Sequence, residues 1–521
     1  MYLRIVSYSA VNGAINVGTF SNPVLPGFHP DPSICRVGDD YYLVTSTFEY
    51  FPGVPVFHSS DLVHWRRIGY CLTRKSQLNL DGINSSRGIF APTIRHSNGI
   101  FYMVTTLVDG GGNFYVTAND PAGPWSDPVW LDANGIDPSL FFDDDGAVYY
   151  TRHEGMGDGC IVQSRLNIKT GKLVGGFREI WRGTGDVWPE GPHLYKINGR
   201  YLLMIAEGGT GERHMVTAAS SASPWGPFSA CPGNPVLTHR TRPGHPIQNL
   251  GHADLVETPD GWWAVCLGVR PVGGACHHIG RETFLSPVSL AADGSPVFNG
   301  KGTMELVMPA PKLAPKAWPE EPPRDDFDSP TLGLYWNYVR NPDEKYYSLA
   351  ARPGSLRLLG SALAMGSMGS PTFVGRRQVN HFCSASARLS FDPRGENEEA
   401  GLVIRSDEKN RYEIAATRRE GKRAVFVRKT VKGASVEEPV TELPATRDVV
   451  LSVEASPTGY RLFYQIAGGS RNSLGTAETR PLSSEEAGGF TGVYIGMYAT
   501  GNGRQSAVPA DFDWFEYEGR E

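Results

Sequence analysis

The feature that most constrains the fold is a short motif that occurs five times in the first half of the chain. Each copy begins with a small or acidic residue, usually beside a proline, and continues through an apolar position, a turn and an aromatic-rich strand. The turns GDD, SNG, DDG, NG and PDG are typical of hairpins. The copies are GFHPDPSICRVGDDYYLV (27–44), APTIRHSNGIFYMV (91–104), DPSLFFDDDGAVYYT (137–151), GPHLYKINGRYLLM (191–204) and HADLVETPDGWWAV (252–265).

The spacing of the copies predicts the architecture. They start roughly 46 to 62 residues apart, which is about the length of a four-stranded propeller blade. Five copies predict a five-bladed β-propeller over residues 22–305, with the first strand of each blade lining a narrow central channel. Functional residues are therefore expected at the starts of the repeats.

The rest of the chain predicts a second β domain. Residues 306–326 contain six prolines, which is typical of a semi-rigid linker or an extended strap. Residues 327–521 contain strands of period two, no long amphipathic helix and no copy of the repeat, which predicts a C-terminal β-sandwich. The predicted fold is thus all-β, a propeller followed by a sandwich, after an N-terminal extension over residues 1–21.

Composition excludes several partners. The 521 residues include 49 basic and 55 acidic side chains, a net charge of −6, and no basic block, so no nucleic acid is expected as a partner. No window has the apolar length of a membrane span. The seven cysteines are scattered without a CxxC pair, which fits neither a disulfide framework nor a zinc site and predicts a cytoplasmic protein. The sequence is compatible with both a monomer and a homo-oligomer.

Three repeats begin with a carboxylate. Asp31 and Asp137 stand in matching DPS contexts, and Glu190 stands in WPEGPHLY, one position earlier than a strict alignment requires. The other two repeats have Ala91 and His252 at this point. Carboxylates that converge in a confined channel raise the pKa of at least one of them, as an acid catalyst at neutral pH requires. Two carboxylates facing across a sugar are typical of glycoside cleavage.

These residues lie in stretches that resemble glycoside hydrolase family 43, in its two-domain β-xylosidase and α-L-arabinofuranosidase branch. In the predicted propeller the matching stretches are NPVLPGFHPDPS, DDYYLVTSTFEYFPGVPVFHSSDLVHW, SSRGIFAPTIR, GIDPSLFFDDDG, EGPHLYKINGRYLL, GHADLVET and GRETFL. The predicted sandwich is similar to that family's C-terminal domain through RDDFDSPTLGLYWNYVR, ARPGSLRL and PADFDWFEYE.

The resemblance implies a role for each carboxylate. Asp31 would be the general base that activates water, and Glu190 the general acid that protonates the leaving oxygen. Asp137 would hold the acid in position and raise its pKa. The family works with inversion at the anomeric carbon, for which the base and the acid stand roughly 6.5–9.5 Å apart.

The resemblance also implies the residues that bind the sugar. Arg281, in GRETFL, would reach the sugar at the non-reducing end, and Phe48 and Phe90 would form aromatic walls of its pocket. Many relatives have tryptophan in place of Phe90, so this wall is expected to differ in shape. Phe490, in GGFTGVYIG, would correspond to a phenylalanine that the sandwich of some relatives sends into the site.

His252 is implied to face a structural calcium or other ion on the propeller axis. Calcium prefers oxygen ligands, so at most one protein ligand, with water completing the shell, is expected. A channel histidine held by hydrogen bonds is the alternative. The chemistry itself requires no cofactor.

The expected substrate is an oligosaccharide with a terminal pentose. A pocket closed at one end by the sandwich favours an exo-acting enzyme that releases terminal xylose from xylo-oligosaccharides, or arabinofuranose from arabinoxylan fragments. An endo-acting arabinanase is one alternative. A sugar-binding propeller without catalysis is another, although it would not need Asp31, Asp137 and Glu190 together.

Overall fold

The computed structural model, which describes residues 18–444, 448–466 and 468–520, confirms an all-β fold of a five-bladed propeller and a sandwich. Residues 1–17 of the predicted N-terminal extension lie outside the described residues. The described helices are the short α-helix Ser484–Ala487 and two 3₁₀ turns, Glu344–Tyr346 and Arg480–Leu482. None of these helices is long and apolar enough to cross a membrane.

Each repeat opens one blade, and its first strand is the innermost. Blade 1 consists of Ser33–Val37, Asp40–Val44, Gly53–Ser59 and Arg66–Leu72. Blade 2 consists of Thr93–Ser97, Ile100–Leu107, Gly112–Ala118 and Val129–Trp130, and blade 3 of Ile136–Phe142, Val148–Glu154, Cys160–Asn167 and Lys172–Trp181. Blade 4 consists of Glu190–Ile197, Arg200–Glu207, Met215–Ser221, Ser229–Ala230 and Leu237–Thr238, and blade 5 of Gln248–Thr258, Gly261–Val269, Glu282–Leu290 and Pro296–Phe298.

The five first strands form a closed ring, because each one packs against the first strands of both neighbouring blades. Apolar clusters fill the spaces between blades, as between blades 1 and 2 around Val56, Ile94 and Met103. Hydrogen bonds between the two ends of the propeller, rather than a covalent link, close the ring. Strand Thr19–Ser21 pairs with Val307–Pro309, and the Asn22 side chain donates a hydrogen bond to the Leu285 carbonyl of blade 5.

The sandwich packs two antiparallel sheets around one apolar core. The first sheet contains Arg324–Asp325, Tyr347–Ser348, Leu356–Leu359, Cys383–Ser390, Asp448–Ser456, Gly459–Ile466, Arg471–Glu478 and Pro509–Gly519. The second sheet contains Thr372–Arg377, Glu399–Arg405, Arg411–Arg419, Lys422–Val431, Ala434–Glu437, Thr441–Glu442 and Tyr494–Thr500.

The proline-rich segment between the domains runs along blade 1. The Lys316 backbone N–H donates to the Asp61 carboxylate at 2.8 Å, and the Trp318 indole lies under the Arg66 guanidinium at 3.9 Å. A further small pair of strands, Tyr50–Phe51 and Tyr338–Val339, joins the propeller to the sandwich directly. These contacts fix the sandwich against the propeller.

Candidate active site

The residues singled out in the sequence line one small cavity between the starts of the blades and a loop of the sandwich. Its volume is about 60 Å³. All eight predicted site residues belong to its lining, although they are spread from residue 31 to residue 490. The lining consists of Asp31, Phe48, Phe90, Ala91, Ile136, Asp137, Glu190, Thr210, His214, His252, Leu267, Arg281 and Phe490.

Two of the carboxylates and His252 enter this cavity from an unusual backbone conformation. Asp31, Asp137 and His252 occupy the same position in blades 1, 3 and 5, with positive φ angles of 53°, 53° and 49°, and such angles are costly for residues other than glycine. In blade 4 this position is Gly191, whose φ is 59°. A β-carbon there would lie 2.9 Å from the His252 ring, so no side chain fits. Glu190 therefore stands one position earlier than the aspartates do.

Asp31 is fixed by hydrogen bonds from two side chains. Arg281 donates to its two oxygens at 2.9 and 3.4 Å, and Ser46 donates to Oδ2 at 2.5 Å. The imidazole of His252 lies 4.0 Å from Oδ1. Asp31 is only 5% exposed, and its carboxylate is accessible from the cavity. This ion pair holds the carboxylate in one orientation at the cavity wall.

The environment of Glu190 favours its protonated form. Burial raises its pKa well above the ordinary value, the negative charges of Asp137 and Asp31 raise it further, and Arg281 opposes them. Burial also raises the pKa of Asp137, against the opposing charge of His252. Glu190 therefore keeps its proton at a pH where an exposed glutamate is ionised. The cavity thus presents a proton donor and an ion-paired carboxylate together.

The other walls are aromatic and come from both domains. The Phe48 ring lies 5.2 Å from that of Phe90 and 5.8 Å from that of Phe490, and the last two lie 6.0 Å apart. The Arg281 guanidinium lies 5.6 Å from the Phe48 ring and 5.5 Å from the Phe490 ring. Phe490 is the residue through which the sandwich contributes to the cavity.

The surroundings of His252 bear on the predicted ion. Its ring lies 6.5 Å from that of His193, whose Nε2 is buried without a hydrogen-bond partner in the described part of the chain. Burial lowers the pKa of His193 to about 3, so its imidazole is neutral. Within the described ranges no three His, Cys, Asp or Glu side chains form a group that could hold a metal. A calcium ion here would take most of its ligands from water, and it stays a prediction.

Sequence reasoning missed three polar residues of the site. Ser46 and Thr210 both bind the Asp31–Arg281 pair. Ser46 donates a hydrogen bond to Asp31, and Thr210 accepts one from Arg281 at 3.1 Å. His214 donates from Nδ1 to a backbone carbonyl at 2.9 Å, and burial lowers its pKa to about 4. None of them belongs to a repeated position, so the five-fold pattern gave no signal for them.

A larger cleft of about 750 Å³ lies in the sandwich. Its carboxylate Glu454 is bound by Arg461 and Arg471, and Glu478 is exposed. This cleft therefore lacks a buried acid beside a second carboxylate. The small cavity is the one whose geometry suits acid–base catalysis.

Comparison with known proteins agrees with this reading. Residues 20–296 match the model of glycosyl hydrolases family 43, and residues 324–518 match that of the beta xylosidase C-terminal Concanavalin A-like domain. The chain is similar to a non-reducing end alpha-L-arabinofuranosidase of Bacteroides ovatus, with 49% identity across 99% of this chain and 98% of the relative. It is also similar to a xylosidase/arabinosidase of Butyrivibrio fibrisolvens, with 42% identity across 96% of this chain and 99% of the relative.

A solved structure shares the complete two-domain arrangement. It is that of a xylan beta-1,4-xylosidase from Bacillus halodurans C-125, which is 37% identical, has a TM-score of 0.93, and is matched over 96% of this chain and 100% of that chain. The family model alone matches more than half of the chain, and the relatives match it over nearly their whole length. The chain therefore belongs to glycoside hydrolase family 43, and the protein is a glycoside hydrolase.

Proposed function

We propose that the protein releases a single terminal xylose or arabinofuranose from the non-reducing end of an oligosaccharide, with inversion at the anomeric carbon. One observation carries the proposal: Asp31, Asp137 and Glu190 meet in one small cavity that Phe490 of the sandwich helps to enclose. A cavity of about 60 Å³ favours one terminal sugar over a chain that passes through. The mode of cleavage is therefore exo.

In the proposed reaction the two carboxyl groups move one proton each. Glu190 donates its proton to the glycosidic oxygen as that bond breaks, and Asp31 accepts a proton from the water that attacks the anomeric carbon. The raised pKa of Glu190 suits the donor. The products are the free sugar and the shortened alcohol, after which Glu190 takes a proton from solvent and Asp31 returns one.

Arg281 has two functions in this proposal. Its hydrogen bonds fix Asp31, and its side chain lines the cavity, where it would donate to a sugar hydroxyl. A guanidinium suits both functions because its donors have a fixed fork geometry. The aromatic rings on either side of it supply apolar contact to the sugar ring.

The names of two relatives bear on which of the two pentoses the protein releases. One is named for arabinofuranosidase activity alone, and another carries both xylosidase and arabinosidase in its name. We propose activity on both sugars, since one small pocket discriminates related pentoses only through a few polar contacts.

The test uses purified protein with an aryl β-D-xyloside, an aryl α-L-arabinofuranoside and xylobiose. We expect release of sugar from at least one aryl substrate, and proton NMR of the first product is expected to show the inverted anomer. Glu190→Ala should lose about 10²–10⁴-fold on xylobiose, and far less on an aryl glycoside whose leaving group needs no proton. Asp31→Asn should lose activity on all three.

Four results would overturn the proposal. Near wild-type rates for Asp31→Asn would exclude Asp31 as the base, and retained anomeric configuration would exclude the inverting mechanism. Release of internal fragments from linear arabinan, without release from either aryl substrate, would favour the endo-acting alternative. Sugar binding without any turnover would favour a non-catalytic propeller.

A further inference from the structure

The loop that brings Phe490 to the cavity is held by the propeller at two separate places. We call residues 483–493 the clamp segment; it contains the helix Ser484–Ala487 and leads into strand Tyr494–Thr500. The segment belongs to the sandwich, but both of its ends also make hydrogen bonds to propeller residues. Each of those propeller stretches continues directly into a residue of the cavity wall.

The first place is the stretch before Arg281. The His277 backbone N–H and ring Nδ1 contact the two oxygens of Glu485 at 3.0 and 2.6 Å. The Ser484 N–H donates to the His277 carbonyl at 3.3 Å, and the Val493 N–H donates to the following carbonyl, of residue 278, at 2.9 Å. The clamp segment is thus bonded at both of its ends to residues that lie three and four positions before Arg281.

The backbones also approach closely at this place. A β-carbon on Gly492 would lie 2.3 Å from the Ile279 carbonyl oxygen, so only glycine fits. Gly280, with φ 96°, packs against the same residue. The position of the clamp segment and the course of the chain into Arg281 are therefore determined together.

The second place is Ser86, four positions before Phe90. The Phe490 N–H donates to the Ser86 hydroxyl oxygen at 2.9 Å, and Gly489 lies against the same side chain. Ser86 is buried and has a φ of 59°. This single hydrogen bond fixes the backbone of the residue whose ring enters the cavity.

Ser86 is itself held by a buried ion pair across the domain interface. Its N–H donates to Oε2 of Glu49 at 2.8 Å, and Glu49 lies 3.8 Å from Arg405 of the sandwich. Both charged side chains are fully buried. Arg405 also donates to the hydroxyl of Tyr50 at 2.8 Å, so neither partner is free to swing away. These contacts therefore hold the Ser86 hydroxyl in a fixed position.

We propose that Ser86 and Glu485 are positioning residues, which hold Phe490 against Phe48 and Arg281 and so set the affinity for the terminal sugar. The link to affinity rests on the proposed function. Ser86 and Glu485 contact neither proton-transferring carboxylate, and the Ser86 contact acts on the wall of the pocket alone. Because an apolar wall contacts the sugar in both the bound state and the transition state, its displacement raises KM more than it lowers kcat.

The neighbouring serine provides a matched control. Ser85 also crosses the interface, because its hydroxyl donates to Glu408 of the sandwich at 2.5 Å and accepts from Arg405 at 3.4 Å, but among the described residues no hydrogen bond joins it to the clamp segment. We expect Ser86→Ala to raise KM about three- to ten-fold with kcat within about two-fold, the range for one lost hydrogen bond. Ser85→Ala should leave KM unchanged. Equal KM values for the two variants would refute the role of Ser86.

The other end of the segment has its own control. Glu486 lies beside Glu485, but its ion pairs with described residues are to Lys432 and Arg480, both in the sandwich. Glu485→Ala should raise KM about ten-fold, since a charged hydrogen-bond acceptor is lost. Glu485→Gln, which keeps one acceptor oxygen, should restore part of the loss. Glu486→Ala should leave KM unchanged. An equal rise for both alanine variants, or no rise for Glu485→Ala, would overturn the proposal.

Hydrogen exchange separates this inference from the proposed function, because it needs no substrate. The peptide that covers residues 484–493 should exchange faster in Ser86→Ala than in the wild type and Ser85→Ala, since the Phe490 N–H loses its acceptor. If exchange is faster in Ser86→Ala but the wild-type protein releases no pentose, the proposed function is refuted while the role of Ser86 in holding the clamp segment stands. Unchanged exchange in Ser86→Ala and in Glu485→Gln would refute the positioning role itself.

Discussion

Replacing Asp137 by asparagine tests the electrostatics of the site, because it removes one negative charge and keeps the shape of the side chain. Asp137 accepts the N–H of Gly191 at 3.1 Å, so its carboxylate lies within one peptide unit of Glu190. Two unit charges roughly 6 Å apart repel by about 3 kcal/mol at an effective dielectric constant of about 20. This energy equals about 2 pKa units.

The observed shift should be smaller than this limit. Burial raises the pKa of Asp137 as well, and the two neighbouring carboxyl groups titrate as a pair rather than as one group beside a full fixed charge. In the proposed reaction Glu190 acts as the acid, so kcat/KM should fall as pH rises through its pKa. We expect the Asp137→Asn variant to lose activity at a pH about 1–2 units lower than the wild type. Burial of Glu190 remains, so the pKa should still exceed the ordinary value.

The assay is kcat/KM against pH on a substrate that requires leaving-group protonation. Asp143→Asn serves as the control, because Asp143 lies in the same blade but binds Lys196 and Tyr201 outside the cavity. Its alkaline limb should coincide with that of the wild type. An unmoved alkaline limb in Asp137→Asn, even with a lower rate, would show that the charge of Asp137 does not set the pKa of Glu190.

Three further outcomes follow from other contacts. Arg281→Lys should lower kcat/KM about 100-fold, because lysine keeps the charge but cannot reproduce the fork that holds Asp31; wild-type kinetics would contradict this. Treatment with EDTA should leave kcat within about two-fold, since both proton transfers are assigned to carboxylates, whereas a cation at His252 would appear as a fall in Tm that added Ca²⁺ reverses. Gly401→Ala should destabilise the sandwich by about 1–3 kcal/mol in urea unfolding, because its β-carbon would lie 1.9 Å from the Ile414 carbonyl oxygen; an unchanged midpoint would contradict this.

The propeller could be predicted from sequence because it is repeated. Each blade buries its own apolar pattern against its neighbours, so the same turn and strand signals occur five times and support one another. The sandwich has no repeat, and its class was predicted from strand periodicity and from the resemblance of three stretches to the family's C-terminal domain. Its two-sheet pairing, in which strand Cys383–Ser390 lies beside the last strand Pro509–Gly519, joins segments far apart in sequence that no local signal connects.

The carboxylates of the site were predictable for the same reason, but their geometry was not. The offset of Glu190 was visible as a misalignment, whereas its cause is the contact between Gly191 and the His252 ring. The positive φ angles of Asp31 and Asp137 leave no mark in composition either, because aspartate adopts this conformation only where the surrounding fold imposes it.

The resemblance pointed to Phe490, and the structure gives the physical reason why this residue can form a permanent wall. A buried cluster crosses the domain interface and includes Phe28 and Tyr50 of the propeller with Tyr494 of the sandwich, and Phe490 packs against it. The rings of Tyr50 and Tyr494 stack at 3.8 Å, and the fully buried Arg405 closes the cluster on one side. Opening the interface would expose these rings and separate buried charges, each of which is costly. The wall is therefore fixed rather than a moving lid, and the sugar must enter a pocket that exists before it binds.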